Sequence, residues 1–382
     1  MARHGHDPSE WGTMTTSTDT GLLDADGHVM EDIHGIIEKM PEPWRTGRAR
    51  LAGNELARLH GMSILPPLGF LSTIPTAGNM AMKREPGAGM SPEAWESFLR
   101  EVGIAKTVLY PTLGLTIGRV RDLDYQAVVA RAYNDWIHET YIQHESGKFQ
   151  AAALLPLLRP SEAAAELRRV VEDLGFCAAV LPAHGLPNHL GSEMFFPVYE
   201  TAQELDVALS FHGGVHDGFG FDDFNVFAAC HSLGFPFGLL ISLAGMIFNN
   251  VYERFPDLRT AYLEGGAAWT LLAAERFSES YGAIRPMSPN VLQLKPGTSV
   301  RDYMAELMHQ GRLVIGCEGG EHQLTNAIEY FGCAPFMYSS DFPHDVNIDS
   351  CLHELEELDE LPIDDAARRG LRGEVARAFY RL

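Results

Sequence analysis

Cysteine and basic residues are both scarce in this chain of 382 residues. Its five cysteines, Cys177, Cys230, Cys317, Cys333 and Cys351, are odd in number and include no CxxC pair. That usage argues against a disulfide framework or a cysteine-rich zinc site, and a reducing cytoplasm is the expected compartment. Lys and Arg number 29 against 51 Asp and Glu, a formal charge of -22. Nucleic acid and anionic membrane both demand a basic footprint, so neither is an expected partner. Residues 1–20 are polar and lack the apolar centre of a signal peptide; a flexible N-terminal segment is expected there. An uninterrupted apolar run of about 18 residues, the length that spans a bilayer, is also missing. The longest, Phe235 to Phe248, is broken by Pro236, Gly238, Ser242 and Gly245 and is expected to be a buried helix. No GxGxxG follows a strand, and no GxSxG elbow occurs, which leaves no signal for a nucleotide cofactor or a serine nucleophile.

What is present is ordinary globular composition, 46% hydrophobic and 21% charged. The length accommodates two average domains or one large α/β barrel with insertions. Short apolar runs decide between them. They fall at 22–29, 104–110, 150–155, 177–181, 207–211, 259–263, 312–316 and 335–340, eight candidate strands. Several are continuously apolar, as parallel strands covered on both faces must be. Helical spacing separates them over Leu123–His144, Ser161–Leu174, Glu193–Leu205, Ala267–Tyr281 and Asp364–Tyr380. Ser161 is the expected N-cap of the second, and Asp364 and Asp365 suit the start of the last. Alternating units of this kind predict an α/β (β/α)8 barrel over residues 21–382, with a doubly wound sheet as the alternative. Two stretches interrupt the repeat, about 41–92 and 214–236, and their apolar content favours lids over disorder.

Barrel chemistry gathers where strands end. The first strand finishes on Asp24-Ala25-Asp26-Gly27-His28, the fifth on His212-Gly213-Gly214, and the sixth on Glu264-Gly265-Gly266. The seventh delivers Glu318-Gly319-Gly320-Glu321, and the eighth Asp341-Phe342-Pro343-His344. Alternate residues on a strand share a side, so Asp26 and His28 can face one point in the barrel mouth. Imidazole and carboxylate suit Zn(II), Mn(II) or Fe(II), and His212 and Asp341 complete a four-ligand set that leaves room for water. Each residue also has an ordinary structural reading. His212 can be a core histidine, Asp26 with His28 a helix cap, Asp341 a turn former, and Glu264 and Glu318 partners of arginines. Five such coincidences at one rim make the metal site the better account. His344 is a candidate for contacting substrate or orienting a ligand, with His184 and His216 weaker candidates of the same kind. Cys317, beside Glu318, is expected to serve packing, because a neighbouring carboxylate disfavours its thiolate.

The motifs DADGHVME, SFHGG, YLEGGAAW and YSSDFPHDVN resemble the amidohydrolase superfamily. They are most similar to its amidohydrolase-2 branch of aminocarboxymuconate-semialdehyde decarboxylase-like enzymes, over residues 20 to 380. The resemblance implies a (β/α)8 barrel with metal ligands on strands one, five and eight. These positions fall here on Asp26, His28, His212 and Asp341, with Asp26 replacing a histidine. It also implies an acid–base histidine on strand six, where this chain has Glu264. Glu264 and Glu318 therefore serve as ligands to a second metal or as acid–base groups, and one or two divalent ions (Fe, Zn or Mn) are expected. The implied activity is metal-dependent hydrolysis, in which activated water attacks a thioester, ester or amide. Asp341, Glu264 and His344 are then the catalytic residues. Alternatives are non-oxidative decarboxylation of an aromatic or unsaturated acid, and a metal-free binding protein on the same barrel. Phe70, Leu71, Ile74, Met80 and Met82, with Phe219, Phe221, Phe224 and Phe227, point to a hydrophobic or aromatic acyl substrate, and Arg45 or Arg48 to its anionic group. The branch resemblance implies a homodimer.

Overall fold

The computed structural model describes residues 21–52, 64–66, 91–216, 218–287, 292–344 and 346–382. The expected flexible segment 1–20, together with Phe70, Leu71, Ile74, Met80 and Met82, lies outside them. Eight parallel strands run in chain order: β1 (Leu22–Val29), β2 (Ile104–Pro111), β3 (Phe149–Leu154), β4 (Ala178–Pro182), β5 (Ala208–His212), β6 (Thr260–Leu263), β7 (Leu313–Cys317) and β8 (Phe336–Tyr338). Each pairs with the next. The β1–β8 seam closes through two main-chain bonds, His28 N–H to the Phe342 carbonyl at 2.7 Å and Asp341 N–H to the Asp26 carbonyl at 3.0 Å. This is the (β/α)8 barrel that the strand spacing predicts.

The strands form where they do because helices cover one face and the barrel interior the other. All five residues of β4 and of β5 are buried, so their side chains gain nothing from polarity on either side. The helix Pro92–Val102 shows how the outer layer is built. Ser91 caps it by accepting from the Ala94 amide at 3.2 Å, and Gly103 ends it in the left-handed region at φ 85°. Trp95, Phe98, Leu99 and Val102 recur at helical spacing and are buried; each contributes roughly 1.5–3 kcal/mol by leaving water. Phe98 stacks on Phe342 at 3.7 Å, and Trp95 meets the same ring edge-on at 5.0 Å. This helix therefore fixes the loop after β8, which carries Asp341 and His344.

Three local expectations need correction. Ser161 lies inside its helix, which starts at Pro160 with Arg159 at the cap position and no side-chain capping bond. Proline at the first helical position needs no amide partner, and that outweighs the serine signal. The final helix is interrupted, Asp365–Arg369 and Val375–Tyr380 flanking a wide turn over Gly370–Glu374. The apolar helix runs from Phe227 to Phe248, so half of the supposed second lid is helical. By length and composition alone it could cross a membrane. Its inner face packs on the barrel through Leu239, Leu243, Met246 and Ile247, but Leu233 and Phe237 are 37% and 45% exposed, so it is only partly buried. Of Gly234 and Gly238, only Gly238 reads as a breaker in sequence. In the fold they are contact points, since a Cβ there would meet the His216 ring at 2.0 Å and the His184 ring at 2.7 Å.

Candidate metal centre and active site

The strand ends converge as expected, with one irregularity that matters. Between Asp24, paired with Thr107, and Gly27, paired with Leu109, β1 holds one residue more than β2. This bulge re-aims the chain locally and carries Asp26, which is 1% exposed. His28 and His212 are fully buried, and each is anchored through Nδ1. His28 Nδ1 is 3.0 Å from the Pro111 carbonyl, and His212 Nδ1 is 2.8 Å from the Gly213 carbonyl. A carbonyl only accepts, so both Nδ1 atoms carry hydrogen and both Nε2 atoms face inward. These Nε2 atoms are 3.2 Å apart. Asp26 Oδ1 lies 3.6 Å from that of His28 and Asp26 Oδ2 lies 3.5 Å from that of His212.

From β8, Asp341 brings Oδ1 to 3.5 Å from His28 Nε2. His344 is held at both ends, Nδ1 at 2.7 Å from Asp341 Oδ1 and Nε2 at 2.9 Å from Thr112 Oγ1. Its ring lies against His28 at 4.1 Å. From β6, Glu264 Oε2 stands 3.4 Å from His212 Nδ1, and Oε1 stands 4.0 Å from His344 Nδ1. Glu264 and Asp341 both adopt left-handed backbone, at φ 63° and 52°. Such conformations cost on the order of 1–3 kcal/mol in residues with a Cβ, and the two that end strands at this rim are the site carboxylates.

The donor set fits a cation. Two nitrogens bonded to one ion at about 2.1 Å stand about 3.0–3.4 Å apart for bond angles of about 90° to 109°, a range that includes the observed spacing. Neither oxygen of buried Asp26 has a hydrogen-bond partner, a costly arrangement unless positive charge compensates it. Burial alone would lower the His212 imidazole, but Asp26 and Glu264 reverse that and push it up to about 10. The same carboxylates that favour a charged imidazole would favour a divalent cation in its place. Burial raises Asp26, opposed chiefly by His212. Glu264 is raised well above the usual carboxylate range by burial, with Asp341, Asp26 and Glu318 adding to the effect against His212.

Among the described residues, two groups have ligand atoms within 4.8 Å of one another, Asp26 with His28 and His212, and His28 with Asp341 and His344. Glu264 borders them. Glu318 is exposed and belongs to neither. Glu321 is occupied by backbone, accepting from the amides of Ala267 and Glu318, and its carboxyl is pushed up to about 7 by burial. Cys317 is buried with its thiol raised, in keeping with packing. Arg45 pairs with Glu42, and the Arg48 guanidinium covers the Tyr125 ring at 3.9 Å. Around the mouth, Phe235 comes close to Gly213 and Glu264 and meets the His216 ring at 4.7 Å. His184 packs against Phe219 and Phe221. Phe219 is itself 75% exposed, while Phe224 touches Phe221 and Phe227 touches His231. Burial drives His184 and His216 each down to about 4, so this wall is neutral at pH 7. Thr112 and Phe235 escaped sequence reading. Thr112 follows the end of β2, so scanning every strand end would have found it; Phe235 sits inside an apolar run that carries no such mark.

Comparison with known proteins agrees with the barrel fold. The sequence family described as Amidohydrolase matches residues 114–382. The 2-amino-3-carboxymuconate-6-semialdehyde decarboxylase of Dictyostelium discoideum is 23% identical over 141 residues, 37% of this chain and 38% of that one. A gamma-resorcylate decarboxylase from a Polaromonas species is 33% identical over 89 residues, 22% and 27% of the two chains. The aligned part thus spans only about a third of those relatives. In three dimensions, 5-carboxyvanillate decarboxylase from Novosphingobium aromaticivorans, complexed with manganese and 4-hydroxy-3-methoxy-5-nitrobenzoic acid, superimposes with a TM-score of 0.68. The sequences are 17% identical, and the match covers 97% of this chain and 100% of that one.

Proposed function

The chain belongs to the amidohydrolase family, and from that premise we propose a metal-dependent, non-oxidative decarboxylase of an aromatic or unsaturated carboxylic acid. Asp26, His28, His212 and Asp341 hold one divalent ion in this reading. The observation that carries it is the inward pair of Nε2 atoms, 3.2 Å apart, beside an Asp26 carboxylate without a hydrogen-bond donor. The names of the relatives favour decarboxylation over cleavage of an acyl bond. A second metal, which the hydrolase expectation placed on Glu264 and Glu318, loses support because Glu318 is exposed and the neighbouring Glu321 is bound to backbone amides.

A divalent ion at this site supplies Lewis acidity, neutralising substrate oxygens and orienting the carboxylate that departs. Glu264 then answers the need for a proton. When the carbon–carboxylate bond breaks, its electron pair stays on the ring carbon, and that carbon must be protonated. A carboxyl kept neutral by burial is a competent donor. It stands where the family resemblance places a histidine, so the acid changes while its position is kept. Asp341 holds His344 over His28, and the neutral wall of His184, His216 and Phe235 suits a planar, weakly polar ring.

The test is product analysis on protein loaded with manganese. Hydroxybenzoates bearing an ortho carboxylate are expected to release carbon dioxide in a chelator-sensitive reaction. Turnover of esters or thioesters with no carbon dioxide from any aromatic acid would restore the hydrolase, and chelator-insensitive ligand binding without turnover would favour a binding protein.

A further inference from the structure

The β1 bulge leaves backbone groups at Ala25 and Asp26 out of the ladder, and two side chains take them up. The Tyr380 hydroxyl donates to the Ala25 carbonyl at 2.9 Å. The Asp26 amide faces Asp24 Oδ1 at 3.3 Å. Asp24 is fully buried and accepts from three further donors. Ser340 gives its amide to Oδ1 at 2.9 Å and its hydroxyl to Oδ2 at 3.0 Å, and Thr107 gives its hydroxyl to Oδ2 at 2.7 Å. One carboxylate therefore joins β1, β2 and the end of β8. The residue after each β1 and β8 anchor region matters: Ser340 immediately precedes Asp341, and Asp24 stands two residues before Asp26. Gly27 leaves room for the arrangement, since a Cβ there would meet Asp24 Oδ2 at 2.8 Å and Thr107 Oγ1 at 2.7 Å.

We propose that Asp24 is a positioning residue for the metal centre, a clamp across the barrel seam that sets where Asp26 stands relative to Asp341. The proposal rests on the reading of Asp26, His28, His212 and Asp341 as ligands. Its physical basis is the seam itself. Among the described residues β8 and β1 share no ladder register, so the two main-chain bonds at Asp26 and His28 need lateral support. Side chains that touch ligands or their backbone commonly change metal affinity by about 10–100-fold when removed.

Manganese titration of the full chain, with free ion followed by electron paramagnetic resonance, tests this alongside thermal melting of the metal-free protein. Asp24→Ala is expected to bind manganese about 10–100-fold more weakly. Asp24→Asn is expected to recover most of the loss, because the Thr107 and Ser340 hydroxyls can rotate to accept from its amide nitrogen. Ser340→Ala, which keeps the carboxylate and the backbone donor, is expected to weaken binding several-fold, and it serves if Asp24→Ala does not fold. Affinities within twofold of wild type in Ser340→Ala and in whichever Asp24 variants fold, whatever the melting temperatures, would overturn the clamp. Wild-type protein that binds no manganese would overturn the site reading itself and the clamp with it, an outcome distinguishable because it appears before any variant is made.

Discussion

The amide of Asp341 donates to the carbonyl of Asp26 at 3.0 Å, so the carboxylates of the last and first strands are neighbours through their main chains. The seam of the barrel and the proposed metal centre are the same place. Anything that loosens closure therefore loosens the ligand set.

Asp26 separates function from stability. Its buried oxygens lack hydrogen-bond donors, and desolvating such a group costs roughly 1–3 kcal/mol. In metal-free protein its charge also supports the charged form of His212, so the two effects oppose each other and Asp26→Asn is expected to melt within a few degrees of wild type when both are free of metal. Its manganese binding and carbon dioxide release are expected to fall below detection. Calorimetry in chelator, paired with a binding titration, checks both halves.

Glu264 separates chemistry from binding. Glu264→Gln keeps the shape but has no transferable proton, so kcat is expected to fall by about 10²–10⁴-fold with manganese stoichiometry unchanged. Glu264→His is expected to restore part of the rate. A Glu264→Gln enzyme as fast as wild type would remove Glu264 from the protonation step.

Acid stability carries the signature of His184 and His216. Burial lowers each to about 4 from an ordinary value of 6.5. The unfolded chain then binds more protons than the folded one, so stability falls as acid is added. The contribution of each is fully present above about pH 6.5 and is lost as pH falls through about 4, on the order of up to 3 kcal/mol each. Glu354, raised by burial to about 8, works with the opposite sign, its contribution being lost as pH rises through that value. The comparison that isolates the imidazole is therefore His184→Gln against wild type. The variant should lose less stability between pH 7 and pH 4.5 in urea unfolding.

Gly234 sets two effects against each other. Alanine gains about 1 kcal/mol of helix propensity, but its Cβ would sit 2.0 Å from the His216 ring. Forcing a buried ring aside typically costs about 1–3 kcal/mol. Packing should win, so Gly234→Ala is expected to be net destabilised in denaturant unfolding. A rise in stability would mean that His216 can swing away freely.

Much of this architecture was legible because its signals are local. Continuous apolar runs such as Ala178–Pro182 can satisfy only a strand covered on both sides. A histidine or acid at the end of such a run, as in His212, lies at the barrel mouth whatever surrounds it. Signals failed where a local preference competed with a remote contact. Ser161 lost its cap to Pro160, and Gly238 marked the closeness of His184 and not a break in the helix. Glu318 sits at a strand end like the others, yet it is exposed and joins neither ligand group, because a strand end specifies a place on the rim but not a side-chain direction.

The order of eight strands and the residues at their ends, the acid at position 264 among them, are properties of the sequence alone, since they depend on chain order and hydrophobic period. Tertiary structure decided which of those residues meet. The bulge at Ala25–Asp26, the grip of Asp24 on Ser340 and the approach of Thr112 to His344 join positions 83, 316 and 232 residues apart. Distances of that kind are set by closing the barrel, when packing and hydrogen bonding across the seam select one register from the many that the local patterns allow.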